Sequence, residues 1–242
     1  AYRNQPEAVR DTTLQILAAL RAEPRGPGRA PGAETMKEAV HAMMTAADPT
    51  FGGFGKGPKF PTPTNLDLLL AAQDVLEGAA RENALEHVVK TCHEMAHRGL
   101  YDHLGGGFHR YCVDGRWEIP HFEKMLYDQG QLLRTYAEAW RRGGERDPDL
   151  LWPIRETVAY LRREMTGEEV AFFAGQDADS EGVEGRFYVW TPAEIEAVLG
   201  AERGEAFCAA YGVSDLGNFE HGTTHLAEHR RQGRERFAAE RA

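Results

Sequence analysis

The sequence predicts a mainly helical protein, built of stacked helical hairpins with short β-ribbons in the loops. Three observations carry this expectation. Residues 85–96 and 122–140 repeat apolar side chains at helical spacing. Three connections share one form: a Gly- or aromatic-rich stretch, then Pro, then a helix. Their starts lie more than fifty residues apart, room for two helices and one long loop.

The elements follow in chain order. Residues 7–22 read as a first helix through Val9, Leu14, Ile16, Leu17 and Leu20. A Pro/Gly linker at 24–32 separates it from a second helix at 34–47, which Asp48-Pro49 ends. A third helix starts at Thr64, where Thr64 and Asp67 have the spacing of a capping box. The fourth carries Leu85, Val88, Val89, Cys92, Met95 and Ala96 on one face. The fifth runs from Phe122 through Met125, Leu126, Gln129, Leu132, Leu133 and Tyr136 to Trp140. The sixth places Leu150, Leu151, Ile154, Val158, Leu161 and Met165 on one face, and weaker helices follow at 192–199 and 202–211. Ribbons are expected at 108–113 with 116–119, about an Asp114-Gly115 turn, and at 170–173 with 186–190. The domain division is 1–33 as helix and linker, 34–227 as the main helical domain, and 228–242 as a charged tail.

Composition excludes several function classes. Apolar residues make up 42% of the 242 residues and charged residues 27%, as in a folded globular chain. A formal charge of −10 argues against nucleic acid or an anionic membrane as partner. No apolar run is long enough to span a bilayer, and the first residues do not read as a secretory signal. The three cysteines are isolated, so neither a disulfide framework nor a cysteine zinc site is expected, and the cytoplasm is the expected compartment.

Four blocks carry a resemblance. The longest runs from Gly105-Gly106-Gly107-Phe108-His109-Arg110-Tyr111 through Trp117 to Pro120-His121-Phe122-Glu123-Lys124-Met125-Leu126-Tyr127-Asp128. The others are Phe51-Gly52-Gly53-Phe54 to Pro63, Gln176-Asp177-Ala178-Asp179-Ser180-Glu181 with 184–190, and Gly217-Asn218-Phe219-Glu220. On these blocks the chain resembles the YyaL-like, spermatogenesis-associated protein 20-like family of thioredoxin-domain-containing proteins. The resemblance implies a helical (α/α) toroid similar to those of sugar 2-epimerases and six-hairpin glycosidases. It also implies that this chain holds roughly the first half of that toroid, without the thioredoxin-like domain, whose parent-protein copy would be a partner. Cys112 stands where the family more often has a small hydroxyl residue.

The candidate chemistry follows from residue types. On a helix starting near Pro120, His121 and Asp128 share one flank of the apolar stripe, and Glu123 and Tyr127 the other. In a solvated helix these flanks are polar rims; lining a toroid, they face the cavity. A helix N-terminus disfavours imidazolium, which suits His121 as a neutral base. Sugar epimerisation needs such a group to remove a proton beside a carbonyl and another to return it. His121, Glu123 and Asp128 are the catalytic candidates, with no cofactor and no metal. His109, Arg110, Tyr111, Trp117, Lys59, Tyr127, Asp177 and Asp179 are the substrate-binding candidates, offering donors and flat apolar faces to a small-molecule sugar; packing of the ribbon is the competing reading. Asp177 and Asp179 open like a calcium loop, but Tyr188 stands where the bidentate Glu belongs. A carboxylate pair there also suits glycoside hydrolysis.

Two other classes compete. One is a scaffold that binds a ligand or docks the thioredoxin-like domain without catalysis. The other is a zinc peptidase. His93-Glu94-Met95-Ala96-His97 is a formal H-E-x-x-H, and His103 stands at the spacing of a third ligand. Against it, these residues lie off the apolar stripe and are expected to face solvent. Cys112 beside His109 and Asp114 is expected to be an inert thiol rather than a nucleophile.

Overall fold

A computed structural model describes residues 6–21, 30–143, 145–228 and 237. Most of the 24–32 linker and of the charged tail therefore lies outside the described residues. Helix α1 (Pro6–Arg21) belongs to a unit of its own, residues 1–35. It buries none of its residues, and Leu14, Ile16 and Leu20 are exposed.

In the second unit the helices are α2 (Ala33–Thr45, most of which lies here), α3 (Pro63–Ala71), α4 (Gly78–His97), α5 (Leu126–Arg142), α6 (Pro148–Glu164), α7 (Pro192–Leu199) and α8 (Ala201–Tyr211). Helix α3 packs on α4 and α5, α4 packs on α6, and α5 packs on α6. Alternate helices thus fall into two layers, the arrangement of consecutive hairpins in an (α/α) toroid. Leu66, Leu69, Val88, Cys92, Met95, Leu132 and Tyr136 fill the space between them, and the Tyr136 hydroxyl donates to the Cys92 carbonyl at 2.6 Å. Helices α7 and α8 form a further hairpin with its own core of Ile195, Phe207, Tyr211 and Phe237.

Helix starts follow the chemistry of their first residues. Asp147 caps α6 by accepting the Asp149 N–H at 3.0 Å, with Pro148 at the first helical position. Thr191 and Glu194 cap α7 reciprocally as a capping box. The expected box at Thr64 and Asp67 does not form: α3 starts at Pro63, with Thr62 preceding it in the left-handed region. Asp67 faces α5 instead and accepts from the Thr135 hydroxyl at 2.8 Å.

The fifth helix starts later than its apolar spacing suggests. Residues 120–125 are extended, with β2 (Pro120–His121) paired to β1 (Tyr111–Cys112), and β3 (Lys124–Met125) paired to β4 (Gly175–Gln176). Lys124 is responsible in part: its ammonium turns inward to Asp102 at 2.6 Å and the Gly106 carbonyl at 2.9 Å. His121 therefore lies on β2, five residues before the start of α5, not at a helix N-terminus.

The first ribbon forms, but its connection is longer than the expected two-residue turn. The Asp114 carboxylate organises it by accepting backbone N–H groups of Arg116, Glu118 and Ile119. The second expected ribbon does not form. Strand β7 (Val189–Trp190) pairs with β8 (Thr224–His225), and a further ribbon joins β5 (Asp179–Ser180) to β6 (Val183–Glu184). Their partners lie too far along the chain, or too close, for the spacing of residues 170–190 to reveal them.

Candidate functional site

The β1–β2 ribbon and its flanks bring together four of the sequence candidates, Arg110, Tyr111, His121 and Glu123. Tyr111 and His121 are cross-strand partners, and their rings stack at 5.3 Å with 30° between planes. Phe60 stacks on the other ring of this row, 4.5 Å from Tyr111. The site thus has a ledge of three flat rings, a geometry that follows from strand pairing placing facing residues side by side.

Charged groups surround His121. Its Nδ1 lies 2.6 Å from Glu184 Oε1, and its Nε2 lies 3.7 Å from Glu123 Oε2. An ionised carboxylate can only accept, so whenever the ring is neutral this geometry favours the proton on Nδ1, toward Glu184, and leaves Nε2 as the accepting nitrogen. Arg110 donates to Glu123 Oε2 at 2.7 Å and holds that carboxylate in place. Glu123 and then Tyr127 raise the affinity of Arg110 for its proton.

Asp128 sits on the first turn of α5. Its Oδ2 is buried without a hydrogen-bond partner. Burial pushes its pKa up to about 6; Glu123 pushes in the same direction and Arg110 opposes both. A carboxyl group that exchanges its proton near neutrality thus lies within the electrostatic reach of Arg110 and Glu123.

Other candidates fall elsewhere. Lys59, Trp117 and His109 are each 0% exposed and make their contacts within the protein. Lys59 donates to Asp48 at 2.6 Å and to the Gly52 carbonyl at 2.9 Å, with its ammonium over the Trp117 ring. Trp117 donates to the Phe51 carbonyl. His109 is held well below its usual pKa by burial, then by the Lys124 charge. Asp177 and Asp179 are exposed on the acidic ribbon, where Asp179 faces Glu184 across the strands.

Sequence reasoning missed Glu184 as the partner of His121 and Phe60 as the end of the aromatic row. Residue Glu184 stands in the acidic block, but nothing local ties it to a histidine 63 positions away. A separate cleft of about 730 Å³ is lined by Asp102, His103, Arg163, Arg186, Tyr188 and His225, and none of His121, Glu123 or Asp128 reaches it.

The zinc-motif residues are not on a solvent face. His97 is buried and His93 and Glu94 are half-buried. His103, the expected third ligand, instead places Nε2 3.1 Å from the Arg98 carbonyl. Cys112 is buried, which pushes its thiol pKa well up, as expected of an inert side chain.

No family model matches the chain. An uncharacterised protein of Caenorhabditis elegans is 33% identical over 210 residues, which is 84% of this chain and 29% of that protein. Spermatogenesis-associated protein 20 of Mus musculus is 37% identical over 190 residues, 71% of this chain and 23% of the relative. The human form is 36% identical over 190 residues. A solved structure of cellobiose 2-epimerase from Bacillus thermoamylovorans B4167 aligns with a TM-score of 0.48 at 14% identity, covering 73% of this chain and 53% of that one. Among the described residues no helix is long and apolar enough to cross a membrane. The chain spans less than a third of the length of its curated relatives, and over that span it is homologous to spermatogenesis-associated protein 20, the family whose sequence blocks it carries.

Proposed function

We propose that the β1–β2 ribbon and the start of α5 form a sugar-binding surface with acid–base chemistry of the isomerase or epimerase type. The observation that carries this reading is the His121–Glu184 pair at 2.6 Å. A carboxylate behind one ring nitrogen fixes the tautomer and stabilises the imidazolium that forms when the other nitrogen takes a proton. His121 Nε2 removes the proton beside the carbonyl of an open-chain sugar. Returning it to the other face of that carbon gives the epimer, and delivering it to the neighbouring carbon gives the isomer. Asp128, with its pKa raised to about 6, is the group suited to hold a proton for return. Arg110 and the ring ledge of Phe60 and Tyr111 supply a charged donor and a flat face, the groups pyranose rings use.

Proton NMR in D₂O with a panel of aldoses, ketoses and disaccharides tests this. Deuterium entering at C2, lost in His121→Gln and reduced in Glu184→Gln, is the expected result. A new reducing end instead would indicate hydrolysis. No exchange in this chain, and none in the longer parent protein, would remove the catalytic reading.

A second reading is a non-catalytic scaffold that docks the thioredoxin-like domain. Exposure of Phe172, Phe173 and Phe187 favours it, since such side chains gain from a covering partner. Under this reading the His121 variants change nothing but local packing, and Phe172→Ser with Phe187→Ser weakens association with the separately produced domain.

A further inference from the structure

The histidines on α4 serve no part of the proposed surface, yet their surroundings are built. His93 and His97 lie one turn apart on the same side of α4. Opposite them α6 begins with Asp147-Pro148-Asp149. His93 Nε2 is 2.7 Å from Asp147 Oδ2, and His97 Nε2 is 3.2 Å from Asp149 Oδ2. Ligand atoms of His93, Asp147 and Asp149 all lie within 4.8 Å of one another.

The division of labour within the aspartates is informative. Asp147 gives Oδ1 to the helix cap and keeps Oδ2 toward His93. Asp149 gives Oδ1 to the Trp152 indole at 3.3 Å and keeps Oδ2 toward His97. His97 is oriented from behind: its Nδ1 lies 2.7 Å from Oε2 of Glu228, whose side chain is fully buried. The His97 side chain is 8% exposed, and its buried Nε2 lacks the alignment of a hydrogen bond with the nearby carboxylate. A ring nitrogen and a carboxylate oxygen this close but out of hydrogen-bond alignment are compatible with both pointing at a shared third atom.

We propose that His93, His97, Asp147 and Asp149 form a structural site for a divalent transition-metal ion of the zinc type, clamping the end of α4 to the start of α6. His93, Asp147 and Asp149 are already gathered, and His97 Nε2, 3.2 Å from Asp149 Oδ2 but outside that mutual group, is the fourth ligand the proposal adds by a small closure; two imidazoles and two carboxylates suit zinc. Glu228 is the outer carboxylate that such a histidine usually has. With His97 as the fourth ligand the shell would be closed by protein, the form of a site that holds structure rather than activating water. The water-activating base of a peptidase is also missing: Glu94 is turned to Arg98, which reaches on to Glu118. Without an ion, the same residues would be two imidazole–carboxylate pairs, and the test separates the two cases.

The chain is stripped with EDTA, exchanged into chelator-free buffer and titrated with Zn²⁺ alone against a chromophoric competitor. Thermal unfolding is followed in parallel, and Co²⁺ replaces Zn²⁺ for visible spectra. The expected result is one tightly bound Zn²⁺ per chain, a higher thermal midpoint and a Co²⁺ band of tetrahedral intensity. Asp147→Asn keeps the helix cap, since Asn caps as well as Asp, yet removes a charged ligand; His93→Gln removes an imidazole from a half-buried position. Both should bind Zn²⁺ at least about tenfold more weakly while keeping the helical spectrum, and Glu228→Gln should weaken it by a similar factor. Absence of stoichiometric Zn²⁺ binding, or unchanged affinity in both Asp147→Asn and His93→Gln, would overturn the proposal.

Discussion

Two loops of this protein are built to one plan and differ in length. In the first, Asp48 accepts the N–H groups of Thr50 and Phe51, takes the Lys59 ammonium at 2.6 Å, and Lys59 also donates to the Gly52 carbonyl. In the second, Asp102 accepts the N–H groups of Leu104 and Gly105, takes the Lys124 ammonium at 2.6 Å, and Lys124 also donates to the Gly106 carbonyl. The backbone closes identically: Ala47 bridges Phe54, and Tyr101 bridges Phe108. Both glycine pairs, Gly52-Gly53 and Gly106-Gly107, have positive φ. Burial in each loop disfavours the ionised carboxylate, and the lysine with the backbone donors outweighs it, so both aspartates titrate lower than usual.

The difference lies in what separates the glycines from the lysine. In the first loop the lysine comes eleven residues after the aspartate, in the second twenty-two. The extra length holds the β1–β2 ribbon with Arg110, Tyr111 and His121. The first loop braces it, since Lys59 and Cys112 exchange backbone hydrogen bonds at 2.8 and 2.9 Å. The two loops thus share one lock, and the second is longer by the ribbon that carries the proposed surface.

The comparison can be broken most severely at the second lock. Lys124 is 1% exposed, with its ammonium over the rings of Tyr160 and Tyr188. Lys124→Met strands the Asp102 carboxylate in the interior and should cost about 3–5 kcal/mol in urea unfolding. Lys59→Met should cost less, on the order of 1–3 kcal/mol, because the Asp48 side chain keeps 16% exposure and its two backbone donors. Equal losses would show that the two locks are energetically alike. Gly53→Ala and Gly107→Ala sharpen the likeness. A Cβ would stand 2.7 Å from the Trp117 ring in one and 2.6 Å from the Tyr160 ring in the other. Both should lose about 1–3 kcal/mol through clash and positive φ.

A smaller effect comes from Asp128. Its folded pKa of about 6 lies above the usual carboxylate value, so between pH 4 and 6 the folded state binds the more protons. Stability from this group is then present at the acid end of that window and declines as pH rises through it. Asp128→Asn should flatten the slope of unfolding free energy against pH between 4 and 6; an unchanged slope would assign it to other groups. The smallest stability effect is expected for His121→Gln, within about 0.5 kcal/mol, since a partly exposed ring away from the core packs little.

The sequence made the helices legible because each buries one face, and the period of Leu85, Val88, Cys92 and Met95 records that burial directly. The recurrence of the loops was legible through their glycines and aromatics. The locks were not. A buried lysine has no local signature, and Lys124 sat inside an apolar spacing that read as helix until Asp102 and the β4 strand claimed it. The same misreading moved His121 onto a helix N-terminus it does not occupy. Its real partner, Glu184, comes from a distant ribbon, and long-range pairing of that kind leaves no trace in spacing.

Nitrogen NMR of the His121 ring at pH 8 tests most directly whether the lengthened loop has built a carboxylate-backed base. The account predicts a neutral ring protonated at Nδ1, with Nε2 unprotonated and free to accept, and loss of that preference in Glu184→Gln. A ring protonated at Nε2 in the unaltered protein, or a tautomer indifferent to Glu184, would contradict it.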